Sequence, residues 1–336
     1  MNDKTNQKVK IAVIGSGHVH GKPILQTLLK YPDVFDIVGY ADVVATPWRE
    51  PYDALPRRSV EDILSDDSIQ GVIIETAEWD SLDVAEKCAD AGKAIHLDKP
   101  AGTDIEQFER ILGKLKTKGL PLSMGYMYRS NAGVRYTLDE VRSGKLGEIH
   151  EVNARMCLRH APYERDLMNK YPGGIMYFLV CHLIDLVYSV MGEPEEMIPI
   201  VVRHTLDGLT SPDDATLIMK YQNGTSVVRA NSLEVHGFYR REFSVCGTLG
   251  TIEVKPIEEP TTLHKAYFHP DRKKVEWQNI DIPQYTGRYD TMMLEFAQML
   301  RGELVNPYSY AYEAKLQRMV LAACGLNVDW KKDPVL

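Results

Sequence analysis

Residues 9–14 read VKIAVI, a short apolar run that ends in GSGHVHG and passes into a helical pattern through Leu25, Leu28 and Leu29. A brief buried run, a glycine turn and an amphipathic helix together open a βαβ unit. The pattern recurs. Apolar runs at 37–41, 71–74, 94–97 and 121–124 are interleaved with helical spacing, as at Leu82, Val84, Ala85, Cys88 and Ala89 and again over 105–115. Short apolar strands alternating with helices imply a parallel sheet covered on both faces. Residues 1–124 are therefore expected to form an α/β Rossmann domain, a doubly wound parallel sheet.

The rhythm changes near residues 124–126. A helical stretch at 131–143 is followed by longer β-like segments at 147–159, 198–204, 215–221, 226–235, 242–246 and 251–255. Gln222-Asn223-Gly224 is a hairpin signal, since Asn-Gly accepts positive φ. Helical patterns at 289–301 and 310–326 close the chain. Residues 125–336 are expected to form an α+β domain with a large, mainly antiparallel sheet for substrate binding and oligomerisation. A length of 336 residues allows each domain its own core.

A formal net charge of −8 argues against nucleic-acid or anionic-membrane surfaces. No apolar run reaches the roughly 18 residues of a membrane span, and the most apolar stretch, 175–191, is interrupted by His182 and Asp185. The opening MNDKTNQKVK has no apolar centre, as a signal peptide or anchor would. Cys88, Cys157, Cys181, Cys246 and Cys324 are scattered, without CxxC spacing, which suits reduced thiols. These features lead us to expect a cytoplasmic protein with a small-molecule substrate.

Gly15-Ser16-Gly17 lies between the first strand and the first helix, where glycines permit a tight turn and close approach of a pyrophosphate to the helix N-terminus. His20 occupies the third glycine place of GxGxxG, with Gly21 beside it. Asp42 ends the second strand, where an acid accepts hydrogen bonds from the adenosine ribose. It repels a 2′-phosphate, and Val43-Val44 offers no compensating arginine, so NAD is favoured over NADP. Gly15, Ser16, Gly17, His18, Val19, His20 and Asp42 are the expected cofactor cradle. An HxH pair at a helix start rarely sets both rings on one ion, and no carboxylate cluster is near in the sequence. No metal is expected at His18 and His20.

Together with Asp98-Lys99-Pro100 after AGKAIHL, this order resembles the Gfo/Idh/MocA family, named for glucose–fructose oxidoreductase and inositol dehydrogenase. The family motif is Glu-Lys-Pro; here the acid is one methylene shorter. The resemblance extends through Arg129 in MGYMYRSNAG, KLGEIHEV, GGIMYFLVCHLIDL, CGTLGTIEV and RYDTMMLEFAQMLRG. It implies that Asp98, Lys99, Pro100, Thr76, Ala77 and Tyr289 line the cofactor. It also implies that Lys99 acts on the substrate hydroxyl, that His182 is the general acid/base, and that the protein is a homodimer or homotetramer.

One departure stands out. Phe178 occupies the place, four residues before His182, where the family commonly has an aspartate. Asp185, three residues after His182, is on the same helical face and is expected to orient the imidazole. Tyr177, Tyr163 and Arg129 are candidate substrate contacts, and Arg159, His160 and Arg165 candidate pocket walls. Glu75 and Trp79 are unusual for the family and are read as a loop acid and a packing aromatic. The implied activity is NAD-dependent hydride transfer at a hydroxyl or keto carbon of a sugar or cyclic polyol. Two alternatives are an NAD-assisted glycoside-cleaving enzyme with transient oxidation, and a non-catalytic NAD/sugar sensor.

Overall fold

The computed structural model describes residues 7–43, 50–258, 260–271, 275–284 and 286–336. The chain divides into two compact units. The first comprises Met1–Met127, Thr286–Gln317 and Asp333–Leu336; the second comprises Tyr128–Tyr285 and Arg318–Lys332. This differs from a division into 1–124 and 125–336, because a late segment returns to the first unit.

In the first unit, strands β1 (Val9–Ile14), β2 (Phe35–Ala41), β3 (Gly71–Ile74), β4 (Ala94–Leu97) and β5 (Leu122–Met124) form a parallel sheet in the order β2-β1-β3-β4-β5. Helices α1 (Gly21–Leu29), α2 (Val60–Ser65), α3 (Glu78–Asp90) and α4 (Ile105–Lys118) connect them. Every residue of β3 and β4 is buried, which explains why their sequences are apolar apart from His96. Asp104 starts α4 by accepting the Gln107 backbone N–H at 2.9 Å, and Gly119, at φ 65°, ends it. From β1 the chain steps to β2 on one side, then crosses to β3 on the other. Such a reversal opens a crevice at the carboxyl ends of the strands. The segments after β1, β3 and β4 meet there.

In the second unit, α5 (Ala132–Arg142) begins at Asn131, whose side chain accepts the Val134 N–H at 3.0 Å. The sheet that follows contains β6 (Ile149–Arg155), β7 (Glu196–Leu206), β8 (Leu209–Tyr221), β9 (Gly224–Asn231), β10 (Glu242–Gly247), β11 (Gly250–Val254), β12 (Leu263–Tyr267) and β13 (Gln278–Ile280). Their order is β13-β12-β11-β10-β6-β9-β8-β7, antiparallel except for the central β6–β9 pair. Helix α6 (Pro162–Leu167), a π-helical turn at Met176–Val180 and helix α7 (Cys181–Met191) lie between β6 and β7.

The β8–β9 hairpin turns at Gln222-Asn223 as expected, with Tyr221 paired to Gly224. Its physical basis is different, however. Asn223 is not a positive-φ residue. Gly224 is needed because a Cβ there would lie 2.3 Å from the His150 carbonyl oxygen. The positive-φ turn is the preceding one, Asp207-Gly208 between β7 and β8, with φ values of 56° and 74°.

Helices α8 (Asp290–Arg301) and α9 (Tyr310–Ala323) end the chain. The buried face of α8 explains why this segment joins the first unit: a Cβ on Gly71 of β3 would meet Phe296 at 3.1 Å and Leu300 at 3.2 Å. Among the described residues no helix is long and apolar enough to cross a membrane. All five cysteines are free thiols.

Candidate functional site

The glycine turn after β1 sits directly on the end of β3. A Cβ on Gly15, at φ 99°, would lie 2.5 Å from backbone atoms of Glu75 and Thr76, so only glycine allows the two to approach. This contact brings His18 and His20 over the ends of β3 and β4. His18 Nδ1 and His20 Nδ1 each lie 3.0 Å from Asp98 Oδ2. Glu75 Oε2 is 3.5 Å from His18 Nδ1, and Glu78 Oε1 is 3.3 Å from His18 Nε2. The His20 backbone N–H also faces His18 Nδ1, at 3.3 Å. Lys99 follows Asp98 and is 1% exposed, and its peptide bond to Pro100 is cis.

Three carboxylates and two imidazoles in one buried cluster perturb one another strongly. Burial, reinforced by Asp98, pushes the Glu75 carboxyl up to about 8. Burial alone would also raise Asp98, but His20 and His18 hold it well below the usual carboxylate range. Burial would lower His18, yet Asp98, Glu75 and Glu78 together raise it well above an ordinary histidine. His20 is lowered by burial. Glu75 is therefore no solvated loop acid, and the Trp79 side chain is 55% exposed. Glu78 escapes sequence reasoning because it looks like a polar residue at a helix start.

The adenosine side of the crevice has the expected parts and one unforeseen group. Ser16 Oγ donates to Asp42 Oδ1 at the end of β2. Arg57, distant in sequence, brings Nη2 within 3.9 Å of Asp42 Oδ2. Val44 lies outside the described residues. Helix α1 has no side-chain cap and no acid in its first turn, so its N-terminal N–H groups suit a phosphate. Gly17 and Val19 are exposed beside it. Thr76 Oγ1 and the hydroxyl of Tyr52 are buried without a hydrogen-bond partner among the described residues. Ala77 is the N-cap residue of α3, and the Tyr289 ring lies 6.0 Å from that of His20. A glycine turn, an uncapped helix N-terminus and an acid at the end of β2 fit a dinucleotide.

In the second unit His182, at the start of α7, is 2% exposed, with its ring 5.5 Å from Tyr128. The Tyr128 hydroxyl donates to Glu258 at 2.7 Å, and Arg241 pairs with the same carboxylate. Asp185 has a partner that the sequence did not suggest. Arg129 Nε and Nη2 donate to its two oxygens at 2.9 and 2.8 Å, so this carboxylate clamps a guanidinium. The π-helical turn carries Tyr177 and Phe178, which both stack on Tyr171, at 5.5 and 5.6 Å. Tyr177 is fully buried and Tyr163 is 74% exposed. His160 accompanies Phe178 at 6.2 Å, whereas Arg159 is exposed. Arg165 is not a pocket wall: it is buried against Asp213, with Nε donating at 2.8 Å.

Comparison with known proteins agrees with this geometry. Residues 9–126 match the model of an oxidoreductase family with an NAD-binding Rossmann fold, and residues 134–253 match the GFO/IDH/MocA C-terminal domain. An uncharacterized oxidoreductase of Escherichia coli, YhhX, is 25% identical over 215 residues, 63% of this chain and 60% of that protein. Inositol 2-dehydrogenase of Rhizobium meliloti is 23% identical over 220 residues, 63% of this chain and 66% of that one. The matches thus span about two thirds of these relatives' length or less. The structure of UDP-N-acetylglucosamine 3-dehydrogenase GnnA from Acidithiobacillus ferrooxidans superposes with a TM-score of 0.77 at 20% identity, covering 95% of this chain and 97% of that one. With both halves matched in order and the glycine turn set against β3, this chain belongs to the GFO/IDH/MocA oxidoreductase family.

Proposed function

We propose that this protein is an NAD-dependent oxidoreductase that transfers a hydride between the nicotinamide and a hydroxyl or keto carbon of a sugar or cyclic polyol. The observation that carries this reading is Lys99, a fully buried ammonium at the carboxyl end of β4 in the switch-point crevice. NAD, when bound, supplies the hydride acceptor or donor. The backbone at Gly15–His20 receives the pyrophosphate, Asp42 the ribose hydroxyls, and Thr76, Ala77 and Tyr289 the remainder. Lys99 orients the substrate oxygen and stabilises negative charge developing on it. His182 takes or returns the hydroxyl proton. Names among the relatives, inositol 2-dehydrogenase for one, make polyols the first substrates to try.

Phe178 favours keeping one second reading. An aromatic ring stacked on Tyr171 offers no acid four residues before His182. An enzyme that oxidises a sugar transiently, eliminates a glycoside and regenerates its NAD is compatible with that loss. Redox balance decides between them. Turnover of a polyol and sugar panel with NAD should change absorbance at 340 nm in step with product, whereas the eliminating enzyme turns over on catalytic NAD. Absence of both outcomes across the panel rejects the catalytic proposal and leaves the sensor. We further propose a cytoplasmic homodimer or homotetramer, supported by the exposed aliphatic side chains of Ile198, Ile200 and Val202 on edge strand β7.

A further inference from the structure

We propose that His18, His20 and Asp98 form a binding site for one divalent transition-metal ion of the zinc class, with Glu75 as a further ligand. Each of the three offers one ligand atom, and these atoms lie within 4.8 Å of one another. Both Nδ1 atoms are 3.0 Å from the same Asp98 oxygen. Ligands at ~2.0–2.1 Å from a tetrahedral zinc ion stand ~3.3–3.4 Å apart, so each histidine–Asp98 pair has to open by only a few tenths of an ångström to accept one. The two rings meet edge to face, at 81°, rather than stacking, and both turn a nitrogen toward the carboxylate.

Glu75 is the independent observation. Its side chain is 0% exposed, and neither carboxylate oxygen has a hydrogen-bond partner among the described residues. A buried carboxylate that has only a long ion-pair contact with His18 is under-satisfied, and the group calls for an explanation. Its Oε2 lies 3.5 Å from His18 Nδ1, the nitrogen already aimed at Asp98. A cation among these atoms would satisfy it. On the far side of the His18 ring, Nε2 faces Glu78 Oε1 at 3.3 Å. A carboxylate on the outer nitrogen of a ligating histidine fixes the ring and raises its basicity, the arrangement found around bound metals.

Charge and donor chemistry agree. A bound dication, with Lys99 beside it, would balance Glu75, Glu78 and Asp98 in their ionised forms and leave both imidazoles neutral, as ligands must be. Two imidazoles with carboxylates select zinc, cobalt or iron over magnesium and calcium, which prefer oxygen alone. The sequence could not show this site, because its carboxylates come from the ends of two other strands.

The test needs neither nucleotide nor substrate, so its result is independent of the redox reading. The full-length chain is stripped with a chelator and titrated with Zn²⁺ alone in a calorimeter. A parallel Co²⁺ titration follows the visible absorption produced by nitrogen and oxygen ligation. One equivalent per chain is expected. His20→Ala and Asp98→Asn should weaken binding by at least about 100-fold and abolish the Co²⁺ bands, and Glu78→Gln by about 10–100-fold. No stoichiometric uptake by the wild type overturns the assignment, as does equal affinity in the wild type and both ligand variants. Should Asp98→Asn fail to fold, His20→Ala decides alone, because at 21% its side chain is the most exposed of the three.

Discussion

Replacing Asp185 with asparagine separates two roles that one carboxylate could play. Arg129 and Asp185 are 8% and 2% exposed and joined by two bonds of 2.8–2.9 Å. Asp185→Asn preserves the shape but removes the charge that this buried guanidinium grips with two bonds. Breaking one side of a buried pair costs about 3–5 kcal/mol. In a unit of ~150–250 residues each kcal/mol lowers Tm by ~2–4 °C, so a loss of roughly 6–20 °C is expected. Differential scanning calorimetry should show the shift in the transition of the second unit. The double variant Arg129→Met/Asp185→Leu should recover most of it, because well-packed apolar groups replace such pairs at little cost. An Asp185 that merely oriented His182 would behave otherwise: turnover and its pH profile would change while the melt stayed within about 2 °C. That outcome would refute the clamp.

Lys99→Met should leave NAD affinity near the wild-type value while turnover falls about 10²–10³-fold, the effect of removing one preorganised electrostatic group; nucleotide fluorescence and single-turnover kinetics measure the two. Asp42→Ala should narrow the preference for NAD over NADP, and Arg57→Ala should widen it if this arginine tolerates a 2′-phosphate; calorimetry with both nucleotides checks this, and unchanged ratios argue against ribose contact. Burial, with Arg241, lowers the His160 imidazole to about 4. The unfolded chain therefore binds the extra proton between pH ~6.5 and 4, and stability falls as pH drops through that window by up to ~1.4 kcal/mol per unit. Denaturant melts of His160→Gln should show a shallower acid slope than the wild type, and identical slopes would contradict it.

Features set by neighbours along the chain were legible in the sequence. The apolar strands of the first sheet, the Gly15 turn, Asp42 at the end of β2 and Lys99 at the end of β4 all follow from local periodicity and turn chemistry, and the place of the hairpin before Gly224, though not its cause, was legible too. These act over a few residues, and the sequence displays them directly. The mixed eight-stranded sheet was visible as a run of strands, although its parallel β6–β9 pair was not. Other features depended on parts of the chain that are distant in sequence. Thr286–Gln317 joins the first unit because the apolar face of α8 packs near β3, which its helical pattern cannot announce. Arg165 is a buried partner of Asp213, and Asp185 serves Arg129, because ion pairs are chosen by proximity in space. The HVH motif read as two polar residues at a helix start, with no acid in sight. Only the switch in strand order, which places the ends of β3 and β4 beneath that turn, surrounds His18 with Glu75, Glu78 and Asp98. A charge cluster depends on distances across the sheet, and the tertiary structure alone supplies them.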